Sequence, residues 1–227
     1  MSTDPAADEP AETFDLHDAY GVETPEDNVE LYRRWAKSYE DDFMAGHGYI
    51  YHVEVAKVFA DAATDEDGPV VDVGCGTGVV AFEISRLGRW PFDGLDISTE
   101  MLEQAAQKLN LAGAPVYGSL VEADLTKPLA IDSGTYGAVV SAGTFTTGHV
   151  GPQAVAELAR IVRAGGLLVL GVNTRYYEAS GFEAYLDGLV DRGVIEQPAR
   201  RIVPVYDGTD HEHGGDTAEV LIVRTPA

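Results

Sequence analysis

Cysteine is the rarest residue type in this chain, and the chain has no long apolar run. Its 227 residues include one cysteine, so no disulfide can form within the chain. A single thiol and an acidic, polar first segment predict a protein of the reducing cytoplasm without a secretory signal. No apolar run approaches the length of about 18 residues that a membrane-spanning helix needs. We therefore expect a cytoplasmic protein with no membrane partner.

Positive charge is also scarce. The chain has 15 lysines and arginines against 38 aspartates and glutamates, which gives a formal net charge of −23. Only four of these acids lie in the first twelve residues, so the acidity belongs to the body of the protein. A field of this sign repels phosphate backbones, which argues against a nucleic-acid partner.

The order of apolar and polar segments predicts one α/β domain. Residues 1–13 are small and acidic, which is typical of a disordered tail, and residues 14–227 form the predicted domain. Within it we expect a helical lid over residues 27–63 and a core over residues 69–227. In the core, apolar strands alternate with helices, which predicts a doubly wound, mostly parallel sheet. A short polar loop separates the last two predicted strands, which indicates an antiparallel hairpin at the sheet edge.

A glycine-rich turn, VVDVGCGTGVV, follows the first predicted strand. Gly74, Gly76 and Gly78 occupy alternate positions where the chain passes from a strand into a helix. Glycine permits positive φ and has no Cβ that would keep a ligand from the backbone. The lysine of a phosphate-binding loop is absent, and a dinucleotide motif would have glycine in place of Val79. The turn is typical of a nucleotide-type site, although a purely structural turn would have the same glycines.

Two carboxylates are predicted at the ends of the next two strands. Asp96 comes 20 residues after Gly76, where a carboxylate can accept hydrogen bonds from both hydroxyls of a ribose. The alternative is that Asp96 caps the following helix. Asp124 follows the third strand and can accept from an adenine amino group, although aspartates also begin ordinary turns. Together, the turn and the two acids predict a pocket for an adenosine without a pyrophosphate.

In combination, these motifs resemble the class I S-adenosylmethionine (SAM) dependent methyltransferases, over about residues 30–225. The likeness implies a Rossmann-like methyltransferase fold, with a doubly wound, mostly parallel seven-stranded sheet, an antiparallel last strand and an N-terminal helical lid. It also implies SAM as cofactor and S-adenosylhomocysteine (SAH) as product. Two further runs, YRRWAKSYE and GTFTTGHVGP, are similar to a small-molecule subset that includes the methyltransferase-like proteins named for the Williams–Beuren chromosomal region. The residues that carry the family resemblance are VVDVGCGTG, GLDISTEML, EADL, YGAVVSAGTF and ELARIVRAGGLLVL.

The resemblance implies roles for individual residues. Asp72 is expected at the methionine end of the cofactor through water, Asp96 at the ribose and Asp124 at the adenine amino group. Tyr39 is expected near the sulfonium or the cofactor carboxylate, with core packing as its alternative. The residues expected to bind the cofactor are Tyr39, Asp72, Gly74, Cys75, Gly76, Gly78, Asp96, Ile97, Met101, Asp124, Leu125 and Ser141.

Several titratable residues are candidates for chemistry. His149 follows the fourth strand and is a candidate general base beside Tyr39, with a cap of the next helix as its alternative. Cys75 is explained by the glycine turn without a nucleophilic role. His211 and His213 have the spacing of a metal site, but a flexible hydrophilic hairpin is the simpler explanation, so no metal is expected.

A sulfonium methyl is already activated, so its transfer needs alignment and desolvation more than acid–base catalysis. The chain lacks the [ND]-P-P-[YF] motif of DNA amino methylation, and its single cysteine lies in the turn, away from the fourth strand. We therefore expect a small-molecule acceptor. Tyr176, Tyr177 and Phe182 either line the roof over that acceptor or pack within residues 174–198. One alternative is a protein that binds SAM or SAH without turnover. Another is a nicotinamide oxidoreductase, but Val79 and the absence of a Tyr-x-x-x-Lys pair argue against it.

Overall fold

A seven-stranded sheet runs through the part of the chain that the computed structural model describes, residues 46–208 and 212–227. The strand order is β3-β2-β1-β4-β5-β7-β6. The first five strands pair in parallel, whereas β7 is antiparallel to both β5 and β6. The strands are β1 (Val70–Val73), β2 (Phe92–Asp96), β3 (Tyr117–Glu122), β4 (Tyr136–Phe145), β5 (Val162–Asn173), β6 (Ala199–Pro204) and β7 (Thr217–Arg224).

Helices cover both faces of this sheet. Because parallel strands are buried on both sides, their side chains alternate between two apolar layers. Along β5, for example, Leu167 and Val169 join the layer of the first three helices, and Leu168 and Leu170 join the layer of the last three. The helices are α1 (Tyr51–Ala62), α2 (Val79–Leu87), α3 (Thr99–Ala105), α4 (Ala154–Ile161), α5 (Thr174–Ala179) and α6 (Phe182–Asp191).

The expected fold class is confirmed, including the hairpin in which β6 forms the sheet edge and β7 separates it from β5. Within the predicted lid, the apolar pattern predicts one helix over residues 27–45 and a second over residues 50–63, and α1 is the second. The predicted tail, the first lid helix and Tyr39 lie outside the described residues. In the described part of the chain, no helix is both long and apolar enough to cross a membrane.

Two helices end earlier than their sequences predicted. The run TEMLEQAAQKLNL predicts a helix to residue 111, but α3 ends at Ala105, and the Asn110 side chain then accepts from the N–H groups of Ala112 and Ala114. Asparagine favours such local turns over helix. The run GPQAVAELARIVRAGG predicts a helix that ends on its last glycines, but α4 ends at Ile161, because Val162 already pairs with Tyr136 of β4.

Candidate cofactor and acceptor site

A cavity of about 420 Å³ opens at the carboxyl ends of the central parallel strands. β1, β2 and β4 are neighbours and run in the same direction, so the loops that follow them meet at one edge of the sheet. This edge is the usual ligand position in doubly wound sheets. Of the residues expected to act on the cofactor or acceptor, those that line the cavity are Gly74, Cys75, Gly76, Asp96, Ile97, Met101, Asp124, Leu125 and His149.

The glycines of the turn after β1 serve different purposes. Gly74 has φ +66°, and a Cβ there would lie 2.0 Å from the Thr144 hydroxyl, so no side chain fits. Gly76 has φ +53°, but a Cβ there would meet nothing within 4 Å. Because Gly76 lines the cavity, a side chain at this position would project into it. Glycine at 74 is therefore required by packing, whereas glycine at 76 keeps the cavity open.

Asp96 fixes the turn from the end of β2. Its Oδ2 accepts from the Gly76 N–H at 2.8 Å, and its Oδ1 accepts from the Ser98 N–H at 2.9 Å. Burial raises the pKa of Asp96, and these backbone N–H groups oppose that rise. Each oxygen keeps a second lone pair for a hydroxyl. The N-cap of α3 is Ser98, which accepts from the Met101 N–H, so the capping alternative for Asp96 is wrong.

Asp124 lies farther along the same wall, beside the buried side chains of Met101 and Leu125. Its Oδ1 accepts from the Thr126 N–H and hydroxyl at 2.9 and 2.6 Å, and its Oδ2 pairs with Lys127 at 2.8 Å. Burial would raise the pKa of Asp124, but the contacts with Lys127 and Thr126 outweigh it and hold that pKa below its usual value. Asp124 therefore shapes a local turn and also presents an ionised acceptor to the cavity.

His149 lines the cavity beyond the end of β4. Its Nδ1 lies 3.1 Å from the Thr147 carbonyl oxygen, which can only accept, so in the neutral ring Nδ1 carries the proton and Nε2 the lone pair. Burial lowers the pKa of His149. α4 begins at Ala154 with Gln153 as its N-cap, so His149 is not the cap of that helix.

Sequence comparison with known proteins identifies the family to which this chain belongs. The methyltransferase domain family matches residues 70–166. Methyltransferase-like protein 27 of Homo sapiens is 33% identical over 191 residues, which cover 78% of this chain and 72% of that protein. The chain belongs to the class I SAM-dependent methyltransferases. It is thus identified as a methyltransferase of this family, whose cofactor is SAM.

Solved structures support the fold of this methyltransferase. The [4+2]-cyclase SpnF aligns with a TM-score of 0.66 at 17% identity, over 91% of this chain and 97% of that one. A TehB-like SAM-dependent methyltransferase from Corynebacterium glutamicum aligns with a TM-score of 0.57 at 21% identity, over 87% of this chain and 99% of that one. At such identities the likeness concerns the fold alone.

Three residues expected to bind the cofactor lie behind the turn and do not line the cavity of this methyltransferase. Asp72 accepts a hydrogen bond from the Tyr117 hydroxyl at 2.7 Å, and burial raises the pKa of Asp72 to about 7. Ser141 donates to the Val73 carbonyl at 2.7 Å. A Cβ at Gly78 would lie 2.8 Å from the Tyr117 ring. All three support the turn from behind, and the next residues after Ser141, Ala142 and Gly143, line the cavity instead.

Cys75 does line the cavity of the methyltransferase, but its side chain is buried. Burial raises the pKa of its thiol, and the nearby carboxylates of Asp72 and Asp96 raise that pKa further. A protonated, enclosed thiol is a poor nucleophile. This agrees with the expectation that Cys75 belongs to the turn and not to covalent chemistry.

The far end of the cavity contains residues that the sequence patterns did not single out. The N–H groups of Ile50 and Tyr51 both donate to the Val205 carbonyl, at 3.0 and 3.2 Å, so the segment before α1 pairs with the segment after β6. This pairing brings the rings of Tyr49 and Tyr206 to 5.8 Å between centroids. In the sequence, His47 and His52 flank the run GYIY, which indicated histidine and tyrosine side chains near the substrate, but the partner of this run lies more than 150 residues away. The far-end lining comprises Tyr49, Tyr51, His52, Asn173, Arg175, Val205, Tyr206, Asp216 and Ala218.

The predicted aromatic roof is a packing cluster. Tyr177 and Phe182 are buried between α5 and α6, with ring centroids 5.5 Å apart, and neither lines the cavity. Tyr176 packs against the same layer. Of the two alternatives for these three residues, the packing role is correct.

His213 lies at the start of the chain segment before β7, where its Nδ1 is 3.2 Å from Asp216 Oδ2. Its motif partner, His211, is outside the described residues. Across residues 46–208 and 212–227, no group of three or more histidines, cysteines and acids is placed to hold a metal ion. The metal-free reaction expected for this family member stays a prediction.

Asp96 should contribute to cofactor affinity directly. Replacing Asp96 with alanine removes the acceptor for the Gly76 N–H and for a ribose, so we expect SAH to bind about 5- to 150-fold more weakly, which corresponds to roughly 1–3 kcal/mol. Isothermal titration calorimetry measures this change. The control is Asp93→Ala, which removes a carboxylate from the same strand that accepts from the Tyr136 hydroxyl but does not line the cavity. Unchanged SAH affinity in Asp96→Ala would remove Asp96 from the site.

Proposed function

We propose that this enzyme moves the sulfonium methyl of SAM to a small-molecule acceptor by in-line displacement. The observation that carries the proposal is that one cavity is lined both by Asp96 and Asp124 and by His149 and Tyr49. A cofactor and an acceptor in the same cavity lie next to each other, which is the geometry that group transfer needs.

The chain's own groups fit a nucleoside cofactor with a polar tail. The open space above Gly76 leaves room for a ligand against the backbone. The Thr77 hydroxyl is buried in the cavity wall and has no hydrogen-bond partner among the described residues, so a bound ligand would satisfy it. Asp96 would hold ribose hydroxyls and Asp124 an amino group. Asp72, Gly78 and Ser141 would act through the shape of the turn.

When bound, SAM supplies a methyl group that is already activated toward a nucleophile. The protein aligns the acceptor and excludes water. His149 is proposed to take the proton from a hydroxyl or an acidic carbon of the acceptor. Tyr39 remains a second candidate base and a cofactor contact, outside the described residues. A thiolate or amine acceptor would need neither group.

Three features favour a small acceptor. A cavity of about 420 Å³ with mixed polar and aromatic walls is within the range of small-molecule sites. The net charge of −23 disfavours nucleic acids. The far end of the cavity is lined by residues of four separate chain segments, 49–52, 173–175, 205–206 and 216–218.

A protein that binds SAM or SAH without turnover is the alternative. In such a protein, side chains would close the space beside the sulfonium, whereas here the cavity continues past Gly143 to His149 and Tyr49. This continuity favours turnover.

The test is a labelling reaction. The protein is incubated with SAM carrying a trideuterated methyl group and a whole-cell extract that contains small molecules, proteins and nucleic acids, and the labelled products are identified by mass. We expect the label in a low-molecular-weight compound and an equal amount of SAH. Label in protein or nucleic acid would contradict the small-molecule acceptor, and SAM bound but never consumed would favour the alternative.

A further inference from the structure

The far end of the cavity is built by segments outside the family match. The match spans residues 70–166, which supply the glycine turn, Asp96, Asp124 and His149. The far-end walls come from residues 49–52, 173–175, 205–206 and 216–218. Segments that differ from the shared core are where a methyltransferase selects its acceptor, so these walls carry the information on substrate class.

Arg175 is the one lysine or arginine that lines the cavity within the part of the chain that the structure describes. It follows the end of β5 directly, in the first turn of α5. The nucleoside end of the cavity has two carboxylates, Asp96 and Asp124. The far end has one carboxylate, Asp216, and Arg175 beside it is the single cationic lysine or arginine of the described lining.

A buried carboxylate holds Arg175 in position. The Arg175 Nη2 lies 2.8 Å from Asp216 Oδ1, and the Asp216 side chain is only 3% exposed while that of Arg175 is 76% exposed. Asp216 is itself fixed, because its carbonyl accepts from the Val205 N–H and its Oδ2 lies 3.2 Å from His213. The guanidinium is thus oriented by a rigid partner that accepts from its Nη2.

This arrangement suits the recognition of an anion. A guanidinium has five N–H donors in a planar fork that matches a carboxylate, and Asp216 uses one edge of the fork. Orientation by a buried partner reduces the side-chain entropy lost on binding. The partly exposed ring of Tyr49 lines the same end, backed by the buried rings of His52 and Tyr206, and offers apolar surface for a flat molecule.

We propose that Arg175 binds an anionic group of the carboxylate type on a flat, aromatic acceptor and thereby determines which acceptors enter. The inference rests on the proposed function and extends it to the substrate class. The contact is a binding contact: no bond forms or breaks at the anion, and the methyl group goes to another atom of the acceptor.

Matched ligand pairs test the proposal. SAH-saturated protein is titrated with 4-hydroxybenzoate and 4-hydroxybenzamide, with 4-hydroxyphenylacetate and its amide, and with 3,4-dihydroxybenzoate and its amide. We expect at least one carboxylate to bind about 10-fold or more tightly than its amide, the scale of a charge-assisted hydrogen bond. Arg175→Gln should bring that ratio within about two-fold while SAH affinity stays unchanged, whereas Arg175→Lys should keep part of the preference.

Arg86→Gln is the matched control, because Arg86 also pairs with a carboxylate at 2.8 Å, that of Glu83, but does not line the cavity. It should keep the full carboxylate preference. If Arg175→Gln does not fold because Asp216 loses its partner, Arg175→Lys still tests the proposal, because it keeps a positive charge beside the buried Asp216. The proposal is overturned if no carboxylate is preferred over its amide, or if the preference survives in Arg175→Gln. Failure of SAH to bind in the first titration would instead overturn the proposed function.

Discussion

Replacing Gly76 with valine should abolish cofactor binding in a protein that still folds. A valine side chain here would fill the open space above the turn, where a Cβ meets no atom within 4 Å, and would occupy the volume assigned to the cofactor. Overpacking of a fitted site costs up to about 3 kcal/mol, so we expect SAH affinity to fall about 100-fold or more. Isothermal titration calorimetry gives the affinity, and thermal unfolding gives the stability.

Gly193→Val separates this effect from backbone strain. Gly193 has φ +65°, close to the +53° of Gly76, and a Cβ there also meets nothing within 4 Å, but Gly193 does not line the cavity. Both variants place a side chain in the left-handed region, which costs about 1–2 kcal/mol of stability. Similar melting temperatures with a loss of SAH binding only in Gly76→Val would support the site. Normal SAH binding in Gly76→Val would contradict it.

Replacing His149 with glutamine should lower kcat by about 10²- to 10⁴-fold, the usual contribution of a general base, and should leave SAM affinity unchanged. The assay uses the acceptor that the labelling reaction identifies. The control is His47→Gln, which changes a histidine of the described chain that does not line the cavity. Full activity in His149→Gln would remove His149 from the mechanism.

The pH dependence of kcat provides a second test of His149. Burial places the pKa of His149 below its ordinary value near 6.5. Only the neutral ring accepts a proton, so kcat should be constant around neutral pH and should fall as the pH decreases through this lowered pKa. That acid limb should be absent in the residual activity of His149→Gln. An acid limb that is identical in both proteins would assign the titration to another group.

The nucleoside end of the site could be predicted from the sequence because its information is local. A run of apolar residues followed by alternate glycines predicts a strand and a tight turn. Asp96 and Asp124 then fall at one edge because the carboxyl ends of parallel strands coincide. The expected roles of Asp72 and Ser141 were less specific, because side chains alternate along a strand and these two point behind the turn, toward Tyr117 and Val73.

The acceptor end could not be predicted in the same way. Its wall depends on one short backbone pairing between Ile50–Tyr51 and Val205, far apart in sequence and outside any regular strand pattern. Arg175 and Asp216 come together because β5 and β7 are adjacent and antiparallel, which places the residues after β5 next to those before β7. The helix and strand propensities of the local sequence do not predict such long-range contacts. The histidine and tyrosine pattern indicated only that the region was polar and aromatic.

A crystal structure of the protein with bound SAH would test the central claim most directly. We expect the ribose hydroxyls within hydrogen-bonding distance of Asp96, the adenine amino group near Asp124, and the sulfur facing Gly143 and the open space toward His149. A ribose with no contact to Asp96, or SAH bound away from the glycine turn, would contradict the account.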